Sequence, residues 1–74
     1  MKWIRIKYID INKKNKEMLV NPNHIKYLFA IDKKDIITGT DYIVHGLAGD
    51  LYMTADQFED LEDQLNVKIP IWDS

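Results

Sequence analysis

The side chains of this sequence that could do chemistry are two histidines and a set of scattered carboxylates. His24 and His45 do not have the spacing of metal ligands. A site with two histidines and one carboxylate would need Asp41 or Asp50 beside them. Paired acids within residues 59–63 lie one helical turn apart, but on a face that we expect to be solvated, where nothing raises a carboxyl pKa. Cysteine is absent, which excludes cysteine nucleophiles and thiolate metal sites. Because no other nucleophile in the sequence has a visible base, we predict no enzyme, no metal and no cofactor.

Two glycine-containing segments have some features of phosphate-binding loops. Residues 38–42, TGTDY, combine small hydroxyls with a glycine, but they lack the P-loop pattern and no helix follows to bind phosphate at its N-terminus. Residues 45–49, HGLAG, lie inside a predicted hairpin and not between a strand and a long helix, as a dinucleotide site requires. Both segments are therefore interpreted as loops.

Charge is distributed unevenly along the chain, although the formal net charge is only −2. Residues 1–37 contain nine Lys or Arg and four Asp or Glu, a net charge of +5. Residues 38–74 contain one lysine and eight acids, a net charge of −7. Such an asymmetry indicates surfaces that attract charged partners.

The basic half includes an N-terminal segment in which cationic and aromatic side chains alternate. Basic residues interleaved with aromatics on a sheet are typical of platforms that bind single-stranded nucleic acid. A single arginine and a negative net charge weigh against this function, so it is the alternative hypothesis. The residues that would carry it are Trp3, Arg5, Lys7 and Tyr8.

The acidic half contains a predicted helix at residues 53–65, MTADQFEDLEDQL. Thr54 and Gln57 match a capping box, while Met53 and Phe58 match a hydrophobic staple. The stripe expected to pack on a sheet consists of Phe58, Leu61 and Leu65. The acids expected to face water are Asp56, Glu59, Asp60 and Asp63.

The leading hypothesis is a small protein-interaction module, accessory or regulatory, that binds another protein through these exposed acids. A second candidate contact is the tail, where Ile69, Ile71 and Trp72 could add a strand to a partner's sheet, or Trp72 could fold back on its own core. Simple solubility for the acids and a homodimer stay open as alternatives. The abundance of Lys, Ile, Asn and Asp is typical of AT-rich bacterial or phage genomes.

The elements that would position these groups are read from hydrophobic alternation. Residues 3–9 alternate, with Ile4, Ile6 and Tyr8 on one face, and residues 18–20 return after a polar turn, which predicts a hairpin. Pro22 predicts a corner. Two further segments, DYIVHGL and DLYMT, flank Ala48-Gly49 as a second hairpin. Asn66 is the expected end of the helix.

A third strand is predicted at residues 25–32. Alternation alone must decide which of its two faces points to the core. Ile25, Tyr27, Phe29 and Ile31 form the more apolar face and are therefore predicted to point to the core, with Lys26, Leu28, Ala30 and Asp32 on the other. Ile36 and Ile37, between two polar clusters, could end a strand or form an irregular segment.

The predicted fold is one α+β domain over residues 1–74. A curved antiparallel sheet or small open barrel of about five strands packs against one helix at about residues 54–65, and residues 66–74 form an extended docking tail or an edge strand. No apolar run approaches the roughly 18 residues that span a membrane, and the N-terminus does not have the pattern of a signal peptide. We therefore expect a cytoplasmic protein with no membrane partner.

The run MLVNPNHIKYLFAID followed by GDLYMTADQFEDLEDQL resembles small FlbD-like proteins, a flagellar-associated family, over residues 18–65. Its layout of strands, glycine turn, strand and helix is also similar to the core of LytTR-type DNA-binding domains. Gly49, Tyr52 and Phe58 match the glycine, aromatic and helix positions. The chain departs from the pattern through residues 33–43 and through YMTAD, where a Val-x-Glu-Ser signature is expected. The resemblance implies an architecture and no particular activity.

Overall fold

A computed structural model describes residues 2–47 and 49–73. The elements, in chain order, are β1 (Ile4–Ile9), β2 (Asn15–Val20), a 3-10 helix (Pro22–His24), β3 (Phe29–Asp35), β4 (Thr40–His45), β5 (Leu51–Met53), α1 (Ala55–Leu65) and β6 (Ile71–Asp73). Both predicted hairpins are present. Ile36 and Ile37, which could have ended a strand, lie in the turn between β3 and β4.

The strands form one open sheet in the order β2-β1-β5-β4-β3-β6. Neighbours are antiparallel except β3 and β6, which are parallel. The predicted α+β class, with one helix near the C-terminus, is confirmed. The prediction of a purely antiparallel sheet or small barrel of about five strands is wrong, because α1 carries the chain back to the far edge, where β6 pairs beside β3. The edges β2 and β6 therefore lie at opposite ends of the sheet.

The first hairpin shows how alternation becomes structure. Ile4 and Ile6 are buried, as predicted, and Tyr8 packs against the core on the same face. In the turn, Asp10 accepts hydrogen bonds at Oδ1 from the amides of Asn12 and Lys14, each at 2.9 Å. A carboxylate that bonds the backbone in this way fixes the turn locally.

The face predicted for the third strand is wrong. Ala30 is fully buried and Leu28 packs against the core, whereas Tyr27 is 69% exposed. Of the residues predicted to point to the core, Ile25 alone packs against it. The strand begins only at Phe29, so the four residues before it do not keep the alternation that starts at Ile25. The core face of β3 is instead set by the pairing of Ala30 with Val44. Its more apolar side chains consequently lie on the other face of the sheet.

The helix begins and ends at the predicted residues. The backbone amide of Gln57 donates to Thr54 Oγ1 at 3.2 Å, and Gln57 Oε1 accepts from the backbone amide of Thr54 at 3.1 Å. These two hydrogen bonds form the capping box. At the other end, Asn66 has the left-handed conformation, φ 57°, that stops a helix. Phe58 and Leu61 are buried against the sheet, and the Phe58 ring stacks on Tyr42 at 4.4 Å.

Gln64 joins α1 to the backbone of β1. Its Oε1 accepts from the Arg5 amide at 2.9 Å, and its Nε2 donates to the Arg5 carbonyl at 2.6 Å. These two backbone groups point away from β2, where a neighbouring strand would bond them. Since β1 registers with β5 only at the pair Ile9 and Tyr52, the side-chain amide takes the place of a strand residue.

The tail is tied to the body before it becomes a strand. Ile69 is buried, and its amide donates to Glu62 Oε2 at 2.8 Å. The Pro70 carbonyl then accepts from the Ala30 amide at 2.9 Å, which sets the register of β6 on β3. The apolar tail thus adds an edge strand, and Trp72 stays 62% exposed on it.

Asp35 organises the turn between β3 and β4. Its Oδ2 accepts from the Thr38 hydroxyl at 2.7 Å and from the Thr38 amide at 2.8 Å. These two hydrogen bonds to the carboxylate, the hydroxyl bond first, hold the pKa of Asp35 below its usual value of 3.8. The ionised side chain therefore stabilises the turn.

We expect Asp35→Asn to be less stable than the wild type at pH 7, by an amount that shrinks on acidification. A lowered folded pKa gives stability that is complete above the unfolded pKa and is lost as pH falls through the folded pKa. Below about pH 4 the wild type progressively loses the stabilisation by the ionised carboxylate, which the variant lacks at every pH. Urea midpoints of both proteins, measured from pH 7 to pH 2.5, test this, and parallel curves over the whole range would contradict it.

Candidate functional site

The four predicted contact acids lie along one side of α1. Asp56, Glu59 and Asp63 are exposed. Asp60 is half-buried and accepts a hydrogen bond from Gln64 Nε2 at 2.9 Å, so it also supports the helix–sheet junction. The structure therefore brings the four together as one surface, named here the acidic helix face, with Asp60 as its least accessible member.

Charge is segregated by layer as well as by chain half. The helix, Ala55–Leu65, contains five acids and no basic residue, a charge of −5, and the rest of the chain has ten basic residues and seven acids, a charge of +3. The lysine and arginine ion pairs of the structure lie outside the helix, as in Arg5–Glu17 at 3.8 Å and Lys34–Asp41 at 3.7 Å. Among the described residues, no basic side chain lies within 4.0 Å of a helix carboxylate.

The basic hairpin is only partly assembled as a binding platform. Arg5 and Lys7 share the solvent-facing side of β1, and Trp3 beside them is 54% exposed. Tyr8 alternates to the other face, where it packs against the core. Arg5 also lies near Glu17 of β2. The structure thus keeps the cations of the alternative site together and separates one of its two aromatic rings from them.

The sheet face opposite α1, named here the outer face, carries a row of apolar side chains. Cross-strand register places one residue from each of five neighbouring strands in line. These residues are Ile9, Tyr52, Ile43, Ile31 and Trp72. No strand or helix among the described residues lies over this row, because α1 packs on the other face.

Four rings form an aromatic cluster at one end of the outer face: Tyr27, Phe29, His45 and Trp72. Phe29 lies at the centre, with centroids 6.3 Å from Tyr27, 4.9 Å from His45 and 5.4 Å from Trp72. The rings of Tyr27 and His45 are nearly parallel to that of Phe29, at 11° and 13°. Sequence reasoning missed this cluster because it assigned Tyr27 and Phe29 to the core. The small Ala30 between the large Phe29 and Ile31 was the sequence signal that could have assigned the other face of the strand to the core.

Three rings of the aromatic cluster, Tyr27, Phe29 and His45, line a shallow cleft of about 470 Å³. His45 Nδ1 lies 2.7 Å from Asp50 Oδ1, so the carboxylate fixes the orientation of the imidazole, while Nε2 is buried with no hydrogen-bond partner among the described residues. Lys26 and His24 also line this cleft, and both are exposed. Within the described ranges, no three His, Asp or Glu side chains converge to hold a metal ion.

A second, more apolar cleft of about 270 Å³ lies where the β1–β2 turn, the β3–β4 turn and the start of β5 meet. Its apolar lining includes Ile9, Ile11, Ile37 and Tyr52. Asp10 and Asp35 also line this cleft, but both are engaged by the backbone of their own turns. The lining of this cleft is mainly apolar, and it brings no nucleophile together with a base, so it does not define a reaction site.

The fold and these surfaces define the molecule as a small α+β domain with a six-stranded mixed sheet and one helix. The chain matches no protein-family model, no curated protein and no solved structure. The resemblance to FlbD-like proteins therefore stays a prediction. No helix in residues 2–47 and 49–73 is long and apolar enough to cross a membrane.

Proposed function

We propose that this chain is a small non-enzymatic protein-interaction module, accessory or regulatory, whose acidic helix face binds a basic surface on another protein. The observation that carries the proposal is the layer of five helix carboxylates without a basic neighbour within 4.0 Å among the described residues. Carboxylates that only balanced the protein's own basic hairpin would be expected beside its lysines. Here the helix carboxylates make no ion pair with those lysines among the described residues.

The spacing of the acids supports recognition by a single partner surface. Positions 56, 59, 60 and 63 follow the i, i+3, i+4, i+7 pattern, so their side chains share one stripe of the helix. Asp56 and Asp63 are about 10 Å apart along the axis, at roughly 1.5 Å per residue. The capping box and the buried Phe58 hold this stripe on a rigid element. A fixed row of like charges accelerates encounter with a basic partner and orients it on arrival.

The test is a charge-neutralised helix, Asp56→Asn/Glu59→Gln/Asp63→Asn, which leaves the half-buried Asp60 in place. A partner captured by cross-linking to the wild type in its native host is purified, and its Kd is measured by calorimetry at about 50 mM and about 300 mM salt. We expect the triple variant to bind at least about tenfold more weakly at low salt, with a smaller difference at high salt because exposed charges are screened.

The matched control neutralises three exposed acids outside the helix: Glu17→Gln, Asp32→Asn and Asp73→Asn. It has the same net charge as the helix variant, so it separates the position of the charge from its amount. We expect its Kd to stay within about twofold of the wild type. Equal affinities for the two triple variants would refute a specific role for the helix face.

A further inference from the structure

The aromatic cluster presents open ring faces to solvent, which a folded domain rarely leaves without a use. Tyr27 is 69% exposed and Trp72 is 62% exposed, although Tyr27 stacks on the half-buried Phe29 and Trp72 packs against Phe29 with its ring tilted by 41°. Phe29 contacts both rings, and the imidazole of His45, oriented by Asp50, stacks on Phe29 at 4.9 Å. Two large rings are therefore fixed in position while their outer surfaces remain free to stack on a planar ligand.

The charges around the cluster favour an anionic ligand. Lys26 and His24 border the cleft, and the single carboxylate among the cleft residues, Asp50, is engaged by His45. The chain outside α1 has a net charge of +3, and the acids of α1 lie on the opposite face of the sheet from the cluster. A ligand with planar groups and negative charge matches both the exposed rings and the nearby basic side chains. A nucleotide chain has planar bases and charged phosphates in alternation.

The shape of the surface favours an extended chain over a compact ligand. The cleft is shallow, and the apolar row continues from Trp72 across four more strands. Only unpaired bases can lie flat on side-chain rings, because the bases of a duplex are already stacked and enclosed.

We propose that the aromatic cluster is a binding site for single-stranded nucleic acid. Successive bases stack on Tyr27 and Trp72, while Lys26 neutralises a phosphate and His24 donates a hydrogen bond to the same backbone. This site is distinct from the basic hairpin, and it is independent of the acidic helix face because the two surfaces lie on opposite layers.

The test measures binding of a fluorescein-labelled 12-nucleotide oligothymidylate by anisotropy at about 50 mM salt. We expect Tyr27→Leu and Trp72→Leu each to weaken binding by about 5- to 100-fold, the range for loss of one base–aromatic stack. Lys26→Gln should lower the slope of log K against log salt by about 0.7, the value for one phosphate contact to a single strand. A duplex of the same length should bind far more weakly.

The matched control is Trp3→Leu, which removes a tryptophan of similar exposure, 54% against 62% for Trp72, from the basic hairpin. We expect it to bind like the wild type. No binding at 50 mM salt, equal binding of duplex, or a loss confined to Trp3→Leu would each overturn the proposal, and the last would place nucleic acid on the hairpin.

A direct readout does not depend on how the leucine variants fold. In Trp3→Phe, Trp72 is the only tryptophan, so its fluorescence reports stacking at the cluster. We expect oligothymidylate to quench it in parallel with the anisotropy change. Binding without quenching would show that the bases lie elsewhere and would also overturn the proposal.

Discussion

Gly46→Ala is expected to lower the free energy of unfolding by about 3 kcal/mol or more, a large part of the roughly 4 to 11 kcal/mol typical for a domain of this length. Gly46 has φ 105°, a backbone conformation that side chains rarely adopt. A Cβ at this position would overlap the Tyr27 carbonyl oxygen and lie 3.1 Å from Leu28 Cα. Both neighbours are backbone, so the strain can be relieved only by a backbone shift, either at residue 46 or in the segment that leads into β3. Urea unfolding followed by circular dichroism measures the loss.

Gly39→Ala is the matched control for this substitution. Gly39 also has positive φ, 72°, but an added Cβ would meet no atom within 4 Å. Its alanine variant should therefore show only the conformational cost of the left-handed region, about 1 to 2 kcal/mol. Similar losses for the two variants would mean that the close approach of Gly46 to Tyr27 contributes nothing.

Gln64→Leu is expected to lower the free energy of unfolding by about 1 to 3 kcal/mol. The substitution removes both hydrogen bonds to the Arg5 backbone and the one to Asp60, each worth roughly 0.5 to 1.5 kcal/mol net, and water partly replaces them at this exposed site. Leucine has a similar size and helix propensity, so the helix itself should persist. The Arg5 amide should also exchange its hydrogen faster, which NMR can follow at that single residue.

Glu59→Leu, on the exposed side of the same helix, is the control for the added apolar surface. We expect a change within about 0.5 kcal/mol, as for an ordinary surface substitution. If Gln64→Leu were equally mild and the Arg5 amide kept its protection, β1 would not depend on the helix for its backbone bonding.

The helix and both hairpins could be predicted from the sequence because their signals are local. Thr54 and Gln57 cap α1 through atoms three residues apart, and Asn66 ends it through its own backbone conformation. Alternation along β1 assigns Ile4 and Ile6 to the core because that strand has one strongly polar face. In each case the determining interaction lies within the segment that was read.

The face of β3 and the partner of β6 could not be read in the same way. Both depend on pairing between distant segments, Ala30 with Val44 and Ala30 with Ile71. When both faces of a strand carry apolar residues, alternation does not say which face meets the helix. That ambiguity hid the aromatic cluster, because its exposed rings have the composition of a core.

The single registered pair between β1 and β5 has a consequence for how the protein opens. Ile9 and Tyr52 are the one point where the ladder joins the first hairpin to the remaining strands. Fluctuations short of global unfolding should therefore detach β1 and β2 as a unit, and the contacts of α1 with β1 should oppose this local unfolding. Cooperative unfolding of the whole domain then depends more on side-chain packing between β1 and its neighbours than on backbone hydrogen bonds between β1 and β5.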